Sequence, residues 1–395
     1  IDIFIGIPLA YLAFFFRFIS RFFFPSSSVS QAPKHILLVK FWGIGNILML
    51  LPAVASLRKT YPESRIDLLT LDINIEAAAA ANLFQQIHTL SNRNGAEFLG
   101  TTLHALWAVK RAHYDVIIDF EQFARFSTLF CTMIGAPKTI GFSTTGQHRE
   151  FLYSLTVPYN NTIHMSRSFH QLAEAAGVPT PMKIVPVPLV FSPMEREAFS
   201  RRLDSWGIDP SDQILIFHVG TSPNFSLRRW PPERFAQLGQ RMLNYTSAKI
   251  ILSGLEHEQE LGQTILSQMQ NSCRVLNLCG LLRFNELALL LQRAKVMVCA
   301  DTAPVHLASA MNRPVIGLYG PNTPVLYGPW GEGSVALYHP GPCSPCITNY
   351  NAKIGHCRHP ESQGYCMQAI SVDEIEEHLR GLLSGDSVFF SGKQP

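Results

Sequence analysis

Charge is scarce in this chain. Only 15% of its 395 residues are charged, and 32 basic against 29 acidic side chains leave a net charge of +3. So small a balance excludes the strongly basic footprint of a nucleic-acid-binding protein. Eight cysteines in a chain of this length are too few for a disulfide-built scaffold. No A-x-A site follows the opening apolar run, and its basic residues come after it, which argues against a cleaved secretion signal.

What is plentiful is apolar side chain, at 47%. Part of that excess is local. "IFIGIPLAYLAFFFRFISRFFF", residues 3–24, contains no charge except Arg17 and Arg21. As a helix it would reach about 33 Å, roughly the thickness of bilayer hydrocarbon. With its arginines snorkelling it could instead lie at the bilayer surface. We therefore expect a membrane-associated helix over 1–24 and a short linker over 25–33. Arg17, Arg21 and Lys34 follow the apolar run, which places the rest of the chain on the cytoplasmic side of the inner membrane.

From residue 34 the pattern is α/β. "HILLVK" (35–40) is an apolar run of strand length, "LMLLPAVASLRKTYP" has helical spacing, and "RIDLLTL" (65–71) is a second strand. The same form recurs in "QILIFHVG", "PPERFAQLGQRMLN" and "AKIILSG", and further strands are read at "YDVIIDF", "KVMVCAD" and "PVIGLYG". Strand-loop-helix-strand units imply parallel sheets. The proline-rich segment 178–193 separates two such domains, 34–190 and 191–384, with a tail over 385–395. A ligand is expected at the carboxyl ends of the strands.

Three stretches carry candidate chemistry. "KFWGIGN" places Gly43 and Gly45 in a turn that closes on Asn46. "GTSPNFSLRRW" offers the hydroxyls of Thr221 and Ser222 and the guanidiniums of Arg228 and Arg229, groups suited to phosphate oxygens. "ADTAPVHLASAM" reads as a strand end followed by a helix with Asp301 and Thr302 at its start, Pro304 in the first turn, and His306 four residues past Thr302. Such a start presents free N–H groups and a positive dipole end to an anion.

These residues carry a family resemblance. "ADTAPVHLASAMNRPVIGLYGPNTP" resembles the D-T-G-P-x-H-L-A-A-A segment and its continuation in the heptosyltransferase-like glycosyltransferases, glycosyltransferase family 9. The region around Trp230 resembles that family's K-x-W-P-x-E-x-[FW] stretch. The resemblance implies a GT-B fold of two Rossmann-like domains with parallel sheets facing across a cleft, acceptor domain first and donor domain second. It also implies transfer from a nucleotide-linked sugar with inversion and no catalytic metal. By the same resemblance Asp301, Thr302, Ala303 and His306 hold the donor. Arg228, standing where a lysine is usual, neutralises the leaving diphosphate, and Glu256 or Glu258 supplies an acidic donor contact. The family commonly has aspartate as general base where this chain has Asn46. Glu121, in "IDFEQFARF", is the substitute base expected here, in preference to Asp119, which sits nearer the strand.

The last constellation, Cys343, Cys346, Cys357 and Cys366, has spacing that could wrap a structural zinc, with His339, His356 and His359 as alternative ligands. Free thiols or a disulfide remain the other readings. The chain is thus expected to be a membrane-attached transferase with a nucleotide-sugar donor and a glycan or lipid-linked acceptor. Its rivals are an inactive nucleotide-sugar binder, which would explain Asn46, and a nucleotide-sugar epimerase.

Overall fold

The computed structural model describes residues 32–385 except 222, 271, 349–355 and 361. The expected membrane helix over 1–24, nearly all of the linker, the last ten residues of the tail and Ser222 therefore lie outside the described residues. Among the described residues no helix is long and apolar enough to cross a membrane.

The chain divides into two units, Ile1–Val187 and Pro188–Pro395, with the break inside the proline-rich connector. The first unit holds one parallel sheet of β1 (His35–Val39), β2 (Arg65–Leu71), β3 (Ile87–Leu90), β4 (Val116–Asp119), β5 (Lys138–Ser143) and β6 (Leu155–Pro158), in spatial order 3-2-1-4-5-6. In β1 every residue after His35 is fully buried. That explains an apolar run without alternation, since helices cover both faces of a parallel sheet. Helix α1 (Ile44–Thr60) follows β1 directly and tolerates Pro52 in its interior. Helices α2 (Gly95–Arg111) and α3 (Arg125–Ile134) flank β4 in the chain, and α4 (Met165–Ala175) packs on α1.

The second unit repeats the plan with β7 (Ile214–His218), β8 (Lys249–Ser253), β9 (Val275–Asn277), β10 (Ala294–Ala300), β11 (Val315–Tyr319) and β12 (Val335–Tyr338). Its order, β9-β8-β7-β10-β11-β12, is the same topology, again all parallel. Helix α5 (Pro232–Tyr245) follows the long loop after β7, and α6 (Ala303–Ala310) follows β10 with Pro304 in its first turn. The final helix α7 (Val372–Ser384) is capped by Ser371, whose hydroxyl accepts from Glu374 N–H, stops at left-handed Gly385, and packs on α5 and β10.

In each unit the strand order reverses between the first and fourth strands, β1/β4 and β7/β10. Open α/β sheets bind ligands just beyond the carboxyl ends of the strands at such a reversal. The loops that meet there are those the sequence singles out.

Candidate functional site

In the first unit the reversal joins residues 40–46 to residues 119–122. Gly43 is the N-cap of α1 with φ of +92°, a conformation that favours glycine, and a Cβ there would sit 2.9 Å from Asn46 Nδ2. The expected two-glycine turn is corrected in part. Gly45 and Asn46 already belong to the first turn of α1, so only Gly43 takes positive φ. The Asn46 amide reaches back, Nδ2 donating to Trp42 O at 3.1 Å, while its Oδ1 is buried with no partner.

Glu121 underlies this loop. Its Oε1 accepts from Phe41 N at 2.6 Å and from Trp42 N at 3.1 Å, and its Oε2 lies 3.0 Å from Lys40 Nζ. Lys40 is 1% exposed, also donates to Gln122 Oε1 at 3.3 Å, and sits over the Phe169 ring. The base role expected of Glu121 does not suit this geometry. A carboxylate with both oxygens engaged and a buried ammonium beside it would have to leave Lys40 unpaired to accept a proton, which is costly. Asp119 is enclosed as well, and by side chains more than by backbone. It accepts from Tyr153 Oη at 2.6 Å, Ser127 Oγ at 2.7 Å and Glu121 N at 2.9 Å, with Arg149 Nη1 at 3.8 Å. Burial raises its carboxyl above the usual range, and Arg149, Tyr153 and Ser127 pull it back.

In the second unit the reversal joins the loop 220–230 to Asp301–Ala303. Glu258 is buried beneath this loop. It accepts from Thr221 N and Leu255 N, each at 2.8 Å, and lies 3.5 Å from Arg229 Nη2. A Cβ at position 220 would overlap its carboxylate, so glycine is required there. The donor contact expected of Glu258 is therefore corrected to a clamp under the loop, while Glu256 is exposed. Burial pushes the neighbouring His218 down to about 4, against the opposing pull of Glu258.

Arg228 donates from Nη1 to Asp301 O at 3.2 Å and stands 4.0 Å from Asp301 Oδ2. Asp301 also accepts from Asn322 Nδ2 at 2.8 Å. Burial raises its carboxyl, and Arg228 and Asn322 lower it in part. Thr302 is the N-cap of α6, but its hydroxyl donates to Ala300 O at 3.2 Å and no side chain caps the helix. Ala303 opens the helix, and His306 is buried in its second turn. Three polar atoms of this loop are buried without a partner, namely Arg228 Nε, Arg229 Nε and Thr221 Oγ1. Two guanidinium donors and a hydroxyl beside an uncapped helix start form an anion-ready group.

The four C-terminal cysteines are brought together. All are free thiols lining one pocket with Leu227, Pro321, His359 and Tyr365. Cys357 Sγ accepts long hydrogen bonds from His359 N at 3.5 Å and Gly364 N at 3.4 Å. Burial pushes the Cys366 thiol up to about 11, with neighbouring Cys346 and Cys357 adding to the shift. Among the described residues no three His, Cys, Asp or Glu side chains are grouped so as to hold a metal ion. His339 pairs with Glu374 at 2.9 Å, and His359 stacks on Tyr365. His356 is exposed.

Sequence reasoning missed Lys40, Arg149, Asn322 and His218. Lys40 had the clearest signal, a lone cation closing an otherwise apolar strand.

Comparison with known proteins adds three findings. The model of "Glycosyltransferase family 9 (heptosyltransferase)" matches residues 103–354. Lipopolysaccharide heptosyltransferase 1 of Pseudomonas aeruginosa is 24% identical, over 79% of this chain and 86% of that protein. Two solved structures are similar in fold. A glycosyl transferase family 9 protein from Veillonella parvula has a TM-score of 0.73 at 20% identity, covering 89% of this chain and 98% of that one. The E. coli heptosyltransferase WaaC with ADP has a TM-score of 0.68 at 18% identity, covering 88% and 99%. The paired parallel α/β sheets are thus the GT-B-type architecture expected from the sequence.

Proposed function

Because the chain belongs to glycosyltransferase family 9, the heptosyltransferase family, we propose that it moves a heptose from ADP-heptose to a lipopolysaccharide-type core glycan at the cytoplasmic face of the inner membrane. The observation that carries this reading is the set of unspent donors on one loop, Arg228 Nε, Arg229 Nε and Thr221 Oγ1, beside the uncapped start of α6. In this reading they hold the donor diphosphate together with Thr302, Ala303 and His306. Arg228 meets the charge that grows on the departing ADP, and such a preorganised cation is worth about 3 kcal/mol of barrier. Arginines and a helix dipole then do the work that a metal does elsewhere, so catalysis needs no metal cofactor.

In the first unit, the buried Asn46 Oδ1 is the acceptor atom available to orient an incoming hydroxyl, and Glu121 fixes the loop that carries it. The reaction inverts the anomeric centre: the acceptor oxygen bonds to the sugar carbon as the bond to the ADP oxygen breaks, and the hydroxyl proton passes to solvent water.

One observation favours a second reading. Asp119 and Glu121, the two carboxylates next to this loop, are both committed to internal partners, which suits a chain that binds the donor without turning it over. Family membership leaves the epimerase reading without support. The test is ADP release from ADP-heptose by the full chain, with and without heptose-deficient lipopolysaccharide. Acceptor-dependent release supports the transferase, whereas saturable ADP binding with no release under any acceptor supports the inactive binder.

The structural zinc expected at the cysteines stays part of this proposal. Cys343, Cys346, Cys357 and Cys366 line one pocket, but no three of them are grouped to hold an ion as they stand, so zinc would have to draw the thiols together. Metal analysis of the purified chain beside Cys343→Ser checks it, and a metal-free wild-type protein would end the idea.

A further inference from the structure

Helix α2 is amphipathic in an unusual sense. The residues it buries fully are small, Ala105 and Val109, while Leu99, Leu103 and Trp107 are 60%, 57% and 58% exposed. Single exposed apolar residues are ordinary. Three large ones at i, i+4 and i+8 are not scattered, because that spacing sets them in one row along about 12 Å of helix. The row ends in cations. Lys110 and Arg111 occupy the last turn, and the Arg111 guanidinium lies 4.3 Å over the Trp107 ring. The one acid of α2, Glu97, is at the opposite end, accepting from Ser91 Oγ and Asn94 Nδ2, each at 2.9 Å.

The chain enters the first unit at the cationic end. Lys34 N and His35 N donate to Asp115 Oδ2 at 2.7 and 2.9 Å, and His35 Nδ1 lies 2.9 Å from Ala112 O, one residue past the end of α2. The apolar run 3–24 is therefore joined to the molecule beside Lys110 and Arg111. Ten extended residues span at most about 36 Å, so Phe24 cannot lie further than that from Lys34.

We propose that the outward face of α2 is a bilayer-docking surface, with Leu99, Leu103 and Trp107 entering the interfacial region and Lys110 and Arg111 meeting anionic headgroups. Tryptophan with leucines on one helix face and basic residues at its margin is the composition of an interfacial helix. Each cation near an anionic leaflet adds to the attraction. The inference goes beyond the proposed transfer reaction and stands whichever donor the second unit takes. It also differs from the expectation that residues 3–24 attach to the membrane, because it concerns a face of the folded unit.

The test uses the full chain on vesicles of phosphatidylethanolamine and phosphatidylglycerol with brominated acyl chains, which quench tryptophans that reach them. Of five tryptophans, Trp107 should contribute a quenched share that disappears in Trp107→Phe. The same share should be lost in Leu99→Gln/Leu103→Gln, which keeps Trp107, and should fall when Lys110 and Arg111 are both replaced by Ala or when phosphatidylcholine replaces the anionic lipid. The urea unfolding midpoints of these variants should equal that of wild type, which confirms folding without reference to any donor and separates this result from the fate of the functional proposal. Equal quenching in wild type and Trp107→Phe while the chain still sediments with vesicles would overturn the proposal, since attachment would then be through other residues alone.

Discussion

The two units share one strand order and one way of holding the loop after the first strand, yet they differ in what they leave unspent. Each places a buried glutamate beneath that loop to accept backbone N–H groups: Glu121 under Phe41 and Trp42, Glu258 under Thr221. In the first unit the glutamate is neutralised by Lys40 at 3.0 Å, and the cation is consumed internally. In the second unit the nearest guanidinium stands off at 3.5 Å, and both arginines of the loop keep an Nε–H without a partner. A fold can therefore use the same carboxylate clamp twice and assign different chemistry by how fully the adjacent cations are spent. The unspent half suits an anion, and the spent half, with an amide oxygen at Asn46, suits a neutral hydroxyl.

The largest effect should come from Arg228, which keeps its Nε–H free although its Nη1 is held by Asp301. Arg228→Ala is expected to lower turnover by about 10²–10³-fold, as loss of a preorganised donor to a charged transition state does, with Arg228→Lys recovering part of it. Steady-state kinetics decides, and near-normal turnover in Arg228→Ala would remove the asymmetry.

Next is a pair of stability measurements on the two clamps. Glu121→Gln strands buried Lys40 and should cost about 3 kcal/mol. Glu258→Gln keeps an acceptor for only one of its two backbone donors, Thr221 N and Leu255 N, and should cost about 1–2 kcal/mol. Urea unfolding of both variants reads the difference, and equal losses would mean that the clamps are equivalent.

A third effect depends on pH. Burial holds His218 at about 4 in the folded chain, against 6.5 when unconstrained. Between those values the unfolded chain binds a proton that the native chain does not. The stability tied to neutral His218 is then complete above about pH 6.5 and is lost as pH falls towards 4, up to about 3 kcal/mol. His218→Gln should flatten the second unit's unfolding profile across that window.

The smallest effect belongs to the first unit. Gly43→Ala forces a side chain into positive φ and against Asn46 Nδ2, and should cost about 1–2 kcal/mol. Its kinetic signature should be a raised KM for acceptor at unchanged donor affinity.

Much of this was legible in the sequence. The apolar runs at 35–40, 65–71 and 213–220 are strands because parallel sheets are buried on both faces, and Pro304 and Gly385 mark a helix start and a helix stop where φ demands them. The loops that meet at both reversals were also legible, through Gly43, Arg228 and Asp301. What could not be read was how buried charges pair. Glu121 looks like a base in sequence because it follows a strand end, and only the fold shows Lys40, 81 positions earlier in the chain, closing on it. Glu258 misleads in the same way, since its partner at Thr221 N is brought near by the β7/β8 pairing.

Donor recognition through the Nε–H groups of Arg228 and Arg229 in the second unit should be independent of the clamp in the first. Calorimetric titration of ADP-heptose into the full chain, Arg228→Ala and Glu121→Gln tests it directly. Binding should be at least about tenfold weaker in Arg228→Ala, the loss of one charge-assisted contact, and equal to wild type in Glu121→Gln. Undiminished affinity in Arg228→Ala, or a comparable loss in a folded Glu121→Gln, would contradict it.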